Sequence, residues 1–523
     1  MAGNPRRTWR SALAGVLGAA LAGPAAAQPP GSLEIGSASG PGGPATTAQV
    51  PNPPASGLSL NPPPIPTVPI RTQDPTDPGL SSRPPAFTLP SGTPPAATDP
   101  NAPAAKAPTA PAVTNDANTF AGYPDVQAAF SALLPGNFKD TKYKWYGFVR
   151  LDGIYDFHPM GSTDSFVTAT IPIPQGKGQN AVLTPRYTRL GFDTLTPLKD
   201  CYDWEVKTRI EMDFFNGNTS GAFGSFPLRL RFAWIDVGPF LVGQAPSLFM
   251  DYDSYPNVLD YQGPPGMILM RQPIAAVRLP LADNLKLSIG VEQPYSDIQW
   301  LDGTDFVVNP GSGIITDRGV AKNIQHIPDL TANVKYTGDY GHVQVAGIVR
   351  QLTYQSADER QIEEAGYGVN VTASFHPWAM LHGIPNSTEG RGPWEKSRFL
   401  GGYACGRGIT RYMNDPNGLG LDATFDPANS LRVMPATGWH ISYEQWWADN
   451  LASNFTFSRA DIDLTDTLPA TTYQAASYGA ANIVWFPAER LGLGIEFLYG
   501  GRENKDGARG KNYRIQTGVQ YRF

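Results

Sequence analysis

From Tyr143 to the C-terminus, apolar and polar side chains alternate along the chain with a period of two. The segment from Tyr202 to Phe214 shows this most clearly, because apolar residues occupy most of the even positions and charged residues occupy the odd ones: Asp203, Glu205, Lys207, Arg209, Glu211 and Asp213. Successive side chains of a strand point to opposite faces, so the pattern predicts a strand with one apolar and one water-filled face. A long surface strand of a soluble protein is the alternative, and each repetition of the pattern weakens it.

About 16 segments of this kind follow one another, which is an even strand number typical of bacterial outer-membrane barrels. They lie near 143–157, 184–194, 202–215, 227–237, 239–245, 270–280, 285–293, 328–337, 341–353, 365–376, 396–407, 437–447, 451–459, 473–486, 490–500 and 511–523.

The connections between these strands mostly alternate in length. Short ones include Gly238, 281–284, 338–340, 447–450 and 487–489. The long ones are 158–183, 216–226, 246–269, 294–327, 354–364, 408–436, 460–472 and 501–510, while 377–395 is long where a short turn is expected. Short periplasmic turns alternating with long outer loops indicate an up-and-down membrane barrel. The predicted fold is therefore all-β, a 16-stranded antiparallel transmembrane β-barrel preceded by a disordered Pro-rich segment.

The C-terminal strand, residues 512–523, has an apolar face that ends on Phe523 and a polar face that carries Arg514 and Arg522. Roughly 10 residues suffice for a tilted strand to cross a bilayer. The segment resembles the closing strand of bacterial outer-membrane barrels, in which the terminal Phe belongs to the insertion signal. That resemblance implies the outer-membrane assembly machinery as a partner.

The N-terminal region predicts export. Arg6, Arg7 and Arg10 precede a short apolar run, and Ala25-Ala26-Ala27 has the small-residue cleavage pattern, so 1–27 is predicted to be a signal peptide. An apolar core helix is the alternative. Residues 28–134 contain nearly half of the 51 prolines and predict a disordered periplasmic tether, whereas 135–523 form the predicted barrel.

Composition and motifs narrow the function. The formal net charge of −6 gives no basic field for nucleic acid. No GxSxG, HExxH or GxxxxGK[ST] motif occurs, and the six histidines lack ligand spacing. We therefore expect neither an enzyme, a metal nor a cofactor.

The predicted inward face carries many cations. As pore-lining residues we expect Arg150, Lys207, Arg209, Arg229, Arg231, Arg350 and Arg514. Arg229 and Arg231 share one wall, about 7 Å apart by strand rise. They could pair with Glu205, Glu211 or Asp213 on the adjoining strand, or they could bind an anionic solute. Rings of Arg and Lys make a pore prefer anions.

The connection from Pro246 to Met270 contains Asp251, Asp253 and Asp260 but neither Lys nor Arg. Its apolar and aromatic residues favour folding into the lumen over exposure to water. We expect a constriction loop whose carboxylates stand across from Arg229 and Arg231, producing a transverse field. A plain surface loop is the alternative.

Several clustered motifs resemble the DcaP-like porins of Gram-negative outer membranes. They are Phe148-Val149-Arg150-Leu151-Asp152, Arg189-Leu190-Gly191-Phe192, Leu228-Arg229-Leu230-Arg231, Gly243-Gln244, Ser247-Leu248-Phe249-Met250-Asp251, Leu259-Asp260, Gly263-Pro264, Ala481-Asn482-Ile483-Val484-Trp485 and Leu493-Gly494-Ile495-Glu496-Phe497. The resemblance implies a trimeric 16-stranded channel for small anions, including dicarboxylates and aromatic acids. It places Arg209, Arg229 and Arg231 along the pore and Asp251 and Asp260 in the constriction loop. The N-terminal coiled coil common in the family has no counterpart here.

The sequence is compatible with two functions. The first is a passive porin for small anionic solutes, a homotrimer in the outer membrane, surrounded by its bilayer lipids. The second is a structural barrel that anchors the envelope through its Pro-rich periplasmic arm. A flexible arm of about 85 residues spans on the order of 50 Å, enough for periplasmic contact.

Overall fold

The computed structural model describes residues 140–198, 204–215, 226–299, 306–308, 315–317, 322–323, 325–355, 361–385, 391–425 and 430–523. The predicted signal peptide and the predicted tether lie outside these residues.

Sixteen antiparallel strands form one closed barrel, which confirms the predicted all-β, 16-stranded antiparallel barrel. They are β1 Lys142–Asp156, β2 in two segments, Asn180–Thr184 and Arg189–Pro197, β3 Glu205–Asp213, β4 Arg229–Val237, β5 Phe240–Pro246, β6 Arg271–Ala282, β7 Leu285–Glu292, β8 Asp329–Gly338, β9 Gly341–Gln355, β10 Gln361–Phe375, β11 Arg398–Arg407, β12 Pro435–Ala448, β13 Leu451–Ile462, β14 Tyr473–Ala488, β15 Leu491–Asn504 and β16 Arg509–Arg522. Each strand pairs with its neighbour in sequence, and β16 closes the barrel against β1 with Gln520 opposite Arg150.

The remaining elements are short. The connections contain strands Ile298–Gln299, Phe306–Val308, Ile315–Asp317, Lys322–Asn323, Ala423–Phe425 and Leu431–Val433, the 3-10 turns Thr168–Thr170, Tyr252–Ser254 and Thr410–Tyr412, and helices α1 Pro377–Leu381 and α2 Pro393–Lys396. Within the described residues, no helix has the length and apolar character needed to cross a bilayer.

The period of two separates an outer apolar face from an inner polar one. On β1 the side chains of Trp145, Val149 and Leu151 are exposed, whereas Arg150 and Asp152 between and beside them are buried. An apolar surface that faces outward all around the barrel fits contact with lipid. Closure of the barrel also removes free strand edges, so the backbone N–H and C=O groups of the sheet do not need water as a partner.

The connections differ in length at the two ends. At one end, tight turns leave two residues between strands, at 238–239, 283–284, 339–340, 449–450 and 489–490. At the other end, the predicted long loops 354–364 and 501–510 are shorter than expected, because β9, β10, β15 and β16 extend into them. The anomalous connection between β10 and β11 holds α1 and α2.

The interior is partly filled by inward-folded connections. Phe249 and Met250 from the β5–β6 connection and Tyr412 and Met413 from the β11–β12 connection are buried together with Ile348 of β9. An apolar core therefore lies inside the barrel, where a simple water-filled pore would have none.

A β-bulge alters the alternation in β4. Glu211 pairs with Phe232 and Met212 pairs with Leu230, so Arg231 is the extra residue. Strict alternation would place Phe232 on the outer face with Leu228 and Leu230, and that expectation is wrong. The bulge brings Arg231 and Phe232 to the inner side, where the Phe232 ring lies 6.2 Å from that of Tyr252.

Candidate functional site

The β5–β6 connection, residues 247–270, folds into the barrel and is held there by polar side chains of the inner wall. The side-chain amides of Asn333 on β8, Gln344 on β9 and Asn370 on β10 donate to the carbonyls of Leu248, Met250 and Phe249 at 2.8, 3.0 and 2.8 Å. Three adjacent strands thus satisfy carbonyls that burial would otherwise leave without partners.

The far part of the same loop reaches the opposite wall. The backbone N–H groups of Leu259 and Asp260 donate to the Glu496 carboxylate of β15, both at 2.9 Å. The guanidinium of Arg150 on β1 donates to the carbonyl of Leu259 at 2.6 Å. The loop therefore crosses the lumen from β8–β10 to β15 and β1, and narrows it.

The loop carboxylates do not stand across from Arg229 and Arg231, contrary to our expectation. Asp251 lies 2.9 Å from Lys335 Nζ on β8 and 2.7 Å from His342 Nε2 on β9, and Asp253 also pairs with Lys335. Asp260 is buried and accepts the N–H groups of Phe166 and Gly263 at 3.1 and 3.3 Å. Sequence could not reveal Lys335 and His342 as partners, because their contact with the loop depends on where it crosses the lumen.

Burial alone would raise the pKa of Asp251, but the hydrogen bond from His342 and the charge of Lys335 outweigh it and lower the pKa well below its usual range. Asp251, Asp253 and His342 also have a spacing that could hold a metal ion. The ammonium of Lys335 already contacts both carboxylates, so a cation occupies that position.

Tyr252 is one of the loop residues that meet the basic wall. Its hydroxyl lies 3.4 Å from Arg231 Nη2 and 3.3 Å from Arg271 Nη1. Burial would raise the pKa of this phenol, yet the neighbouring guanidiniums of Arg271 and Arg231 lower it below its ordinary value. The wall beside the loop is therefore electropositive.

On the inner wall, several cations pair with carboxylates, and in most pairs the cation is more exposed than the carboxylate. Exposed side-chain fractions are 40% for Arg229 against 3% for Asp213, 24% for Arg209 against 10% for Asp193, 21% for Arg189 against 5% for Glu211, and 24% for Arg398 against 6% for Glu444. Lys207 is also half-exposed, though its partner Glu205 is more so. In the first four pairs, water contacts the cation more than the carboxylate.

Four of the seven predicted pore-lining cations are instead buried in the wall. Arg150 pairs with Asp152, Arg231 with Glu211 and Asp213, Arg350 with Asp329 and Asp422, and Arg514 with Asp156. All lie on the inner side, but connections folded into the lumen cover Arg150 and Arg350, and Arg514 has no exposed surface. Their pore-lining role stays a prediction that this geometry does not favour.

Besides Lys335, three arginines near the loop were missing from the predicted site. Arg189 and Arg398 lie on the inner faces of β2 and β11, and parity could have found both. Strand parity could not have identified Arg271, because it is the first residue of β6. Its contact with Tyr252 is what shows that its side chain points towards the loop.

The sequence profile described as DcaP outer membrane protein matches residues 131–291, which include the basic wall and the inward loop. Over this part, the chain is similar to the DcaP outer membrane proteins. The solved outer membrane channel DcaP of Acinetobacter baumannii has 21% identity and a TM-score of 0.59, covering 73% of this chain and 97% of the channel. At that identity, the likeness to the solved channel shows the fold alone.

Two further solved structures are more remote. The loop L8 deletion mutant of OmpT of Vibrio cholerae has 11% identity and a TM-score of 0.42, covering 73% of this chain and 100% of the mutant. An anion-selective porin from Comamonas acidovorans has 9% identity and a TM-score of 0.43, with the same coverage of both chains. Curated protein sequences give no match.

These findings confirm the predicted family resemblance and the predicted location in the outer membrane. The solved DcaP protein is an outer membrane channel rather than an enzyme, and with the family match it confirms the expectation that this protein is not an enzyme.

Proposed function

We propose that this DcaP-like protein is a passive channel for small anionic solutes, with a constriction between the inward loop and the wall formed by β2, β3 and β4. The observation that carries the proposal is the unequal exposure of the ion pairs on that wall. Arg189, Arg209 and Arg229 present guanidiniums to the lumen, while their partners Glu211, Asp193 and Asp213 are nearly covered.

Far from the wall, the electric fields of the guanidinium and the carboxylate of each pair cancel. A solute at the wall, however, lies closer to the exposed guanidinium than to the covered carboxylate. Coulomb energy falls with distance, so an anion there gains more from the guanidinium than it loses to the covered carboxylate. Each site contributes modestly, about 1 kcal/mol in a wet lumen. Arginines arranged along one wall add up to a preference for one sign of charge.

Aromatic rings beside these arginines favour carboxylates attached to flat organic groups. The Arg209 guanidinium lies 5.1 Å from the Tyr146 ring centroid, and that of Arg189 lies 5.6 Å from the Tyr261 ring centroid. Dicarboxylates and aromatic acids combine anionic groups with an apolar body. These are also the solutes that the resemblance to DcaP-like porins implies.

The same resemblance implies a homotrimer, which we include in the proposal. The mass of the protein in detergent, from light scattering corrected for bound detergent, tests this directly: three copies of 56.3 kDa, less the signal peptide, are expected. A single copy contradicts this part of the proposal without affecting the channel.

Chloride current through the protein in a planar bilayer tests the channel. We expect succinate and benzoate added to one side to reduce the current, whereas succinamide, with no charge, leaves it unchanged. The alternative of a structural barrel that anchors the envelope predicts no current at all. Current that succinate and succinamide reduce equally would show a channel without the proposed anion site.

A further inference from the structure

The connection between β10 and β11, residues 376–397, lies at the end of the barrel where the neighbouring turns are tight. Turns 339–340 and 449–450 on either side leave only two residues between strands, while this connection forms α1 and α2. The N–H of His376 donates to the carbonyl of Tyr340 at 2.8 Å, which ties the connection to one of those turns. In a barrel of this type, the tight turns face the periplasm.

Helix α1 packs on the outer side of the wall. The indole N–H of Trp378 in α1 donates to the hydroxyl of Tyr443 on β12 at 3.0 Å. Tyr443 shares the outer face of β12 with the exposed Ile441, and its ring lies 4.5 Å from that of Phe399, which is exposed on the outer face of β11. The hydrogen bond to Tyr443 therefore places α1 beside the lipid-facing surface.

The helices are fixed to each other and to the barrel. The rings of Trp378 and Trp394 meet edge to face with centroids 5.4 Å apart. Lys396 of α2 lies 2.8 Å from Asp449 in the next turn, and Ser397 Oγ accepts the N–H of Trp446 at 2.9 Å. The pair of helices is thus a built structure, and the direction of its exposed side chains is set by these contacts.

The exposed side chains of this pair are apolar. Leu381 has 68% of its surface exposed, and Met380 and Trp394 are about half-exposed. They continue the outer apolar surface through Phe375 and Phe399, at the ends of β10 and β11. Apolar side chains grouped in this way indicate a covered surface in the native setting.

The position of the patch along the barrel indicates what covers it. Trp447 and Trp485, exposed on the outer face beside the turns of β12 and β14, lie at the same end of the barrel. Tryptophan is enriched where a bilayer meets water, because its ring is apolar and its N–H is polar.

We propose that α1 and α2 form a lipid-binding foot, with Met380, Leu381 and Trp394 inserted into the periplasmic leaflet at the boundary of head groups and acyl chains. The partner is the phospholipid of that leaflet. The inference does not depend on the channel's ion preference, because it uses only the outer surface and the membrane location.

A fluorescent label at Leu381 measures this contact. The substitution Leu381→Cys, in full-length protein that also carries Cys201→Ser and Cys405→Ser, allows bimane labelling at one site. After reconstitution into phosphatidylglycerol–phosphatidylcholine vesicles, lipids brominated near the head group should quench the label, and aqueous iodide should quench it weakly. Asp283→Cys, in the exposed β6–β7 turn, is the matched control and should show the reverse order.

Two results would contradict the proposal that α1 and α2 form a lipid-binding foot. Iodide quenching at Leu381 as strong as at Asp283 would show that water covers the patch. Protection from iodide without quenching by brominated lipid would show that protein, such as a second copy of the chain, covers it. The variant Trp394→Phe gives an independent test without any change of cysteine. Brominated lipid should quench the emission of Trp394, so the variant should lose that part of the quenched tryptophan emission.

Discussion

Arg229 forms a bidentate ion pair with the carboxylate of Asp213, with Nε 2.9 Å from Oδ1 and Nη2 2.6 Å from Oδ2. Of the two side chains, the arginine is the one exposed to the lumen. Because Asp213 also accepts from Arg231 at 3.0 Å, it keeps a cationic partner if Arg229 is removed. Arg229 can therefore be replaced without leaving a buried carboxylate unpaired, which makes it a suitable position for testing ion preference.

Arg514 should behave in the opposite way. It is fully buried against Asp156, with Nε 2.7 Å from Oδ1. We expect Arg514→Ala to lower the free energy of unfolding by about 3–5 kcal/mol, because an uncompensated buried carboxylate is left behind. Urea unfolding in lipid vesicles measures it, with Arg229→Ala as the matched control. Equal losses for the two variants would contradict the assignment of Arg514 to the wall.

The contrast between these arginines shows how much the sequence could predict. Alternation placed all sixteen strands and put both Arg229 and Arg514 on the inner face. It could not separate them, because accessibility depends on connections that fold back into the barrel. It also failed at Phe232, where a bulge changes parity, and at Asp251, whose partners Lys335 and His342 come from strands that only the folded loop meets.

Asp251 should hold the constriction loop in place over a broad pH range. Its pKa is lowered on folding, so its contribution to loop stability is complete above the unfolded value of about 3.9 and is lost only as the pH falls through the lower folded pKa. We expect Asp251→Asn to make the single-channel current noisier at neutral pH, because Lys335 and His342 lose their buried partner. Asp253→Asn, at the exposed neighbouring carboxylate, should change the noise little, and a larger effect there would contradict this assignment.

Phe523 should matter for assembly rather than for conduction. Its backbone N–H donates to the carbonyl of Gly147 on β1 at 3.1 Å, and its side chain is exposed on the outer face, away from the lumen. Deleting Phe523 is expected to lower the amount of protein in the outer membrane while leaving the single-channel conductance of inserted protein unchanged. Normal levels with altered conductance would reverse the assignment.

The region before the barrel should be dispensable for folding. Alternation begins near Tyr143, and β1 starts at Lys142. A chain that starts at Pro135 is expected to refold in detergent with the yield of the mature protein, measured by heat-dependent migration in gels. Failure of the shortened chain alone would show that the Pro-rich segment takes part in folding.

The reversal potential in a gradient of potassium chloride tests the proposed anion preference most directly. We expect the wild-type channel to reverse at a potential of the sign set by chloride, and Arg229→Ser to reduce the chloride-to-potassium permeability ratio about two- to fivefold, since each exposed charge contributes ~1 kcal/mol or less. Arg509→Ser is the matched control, because it removes a guanidinium paired with Glu503 at 3.1 Å on an exposed rim position. A wild-type reversal potential of the potassium sign, or one that Arg229→Ser leaves unchanged, would contradict an anion-selecting arginine wall.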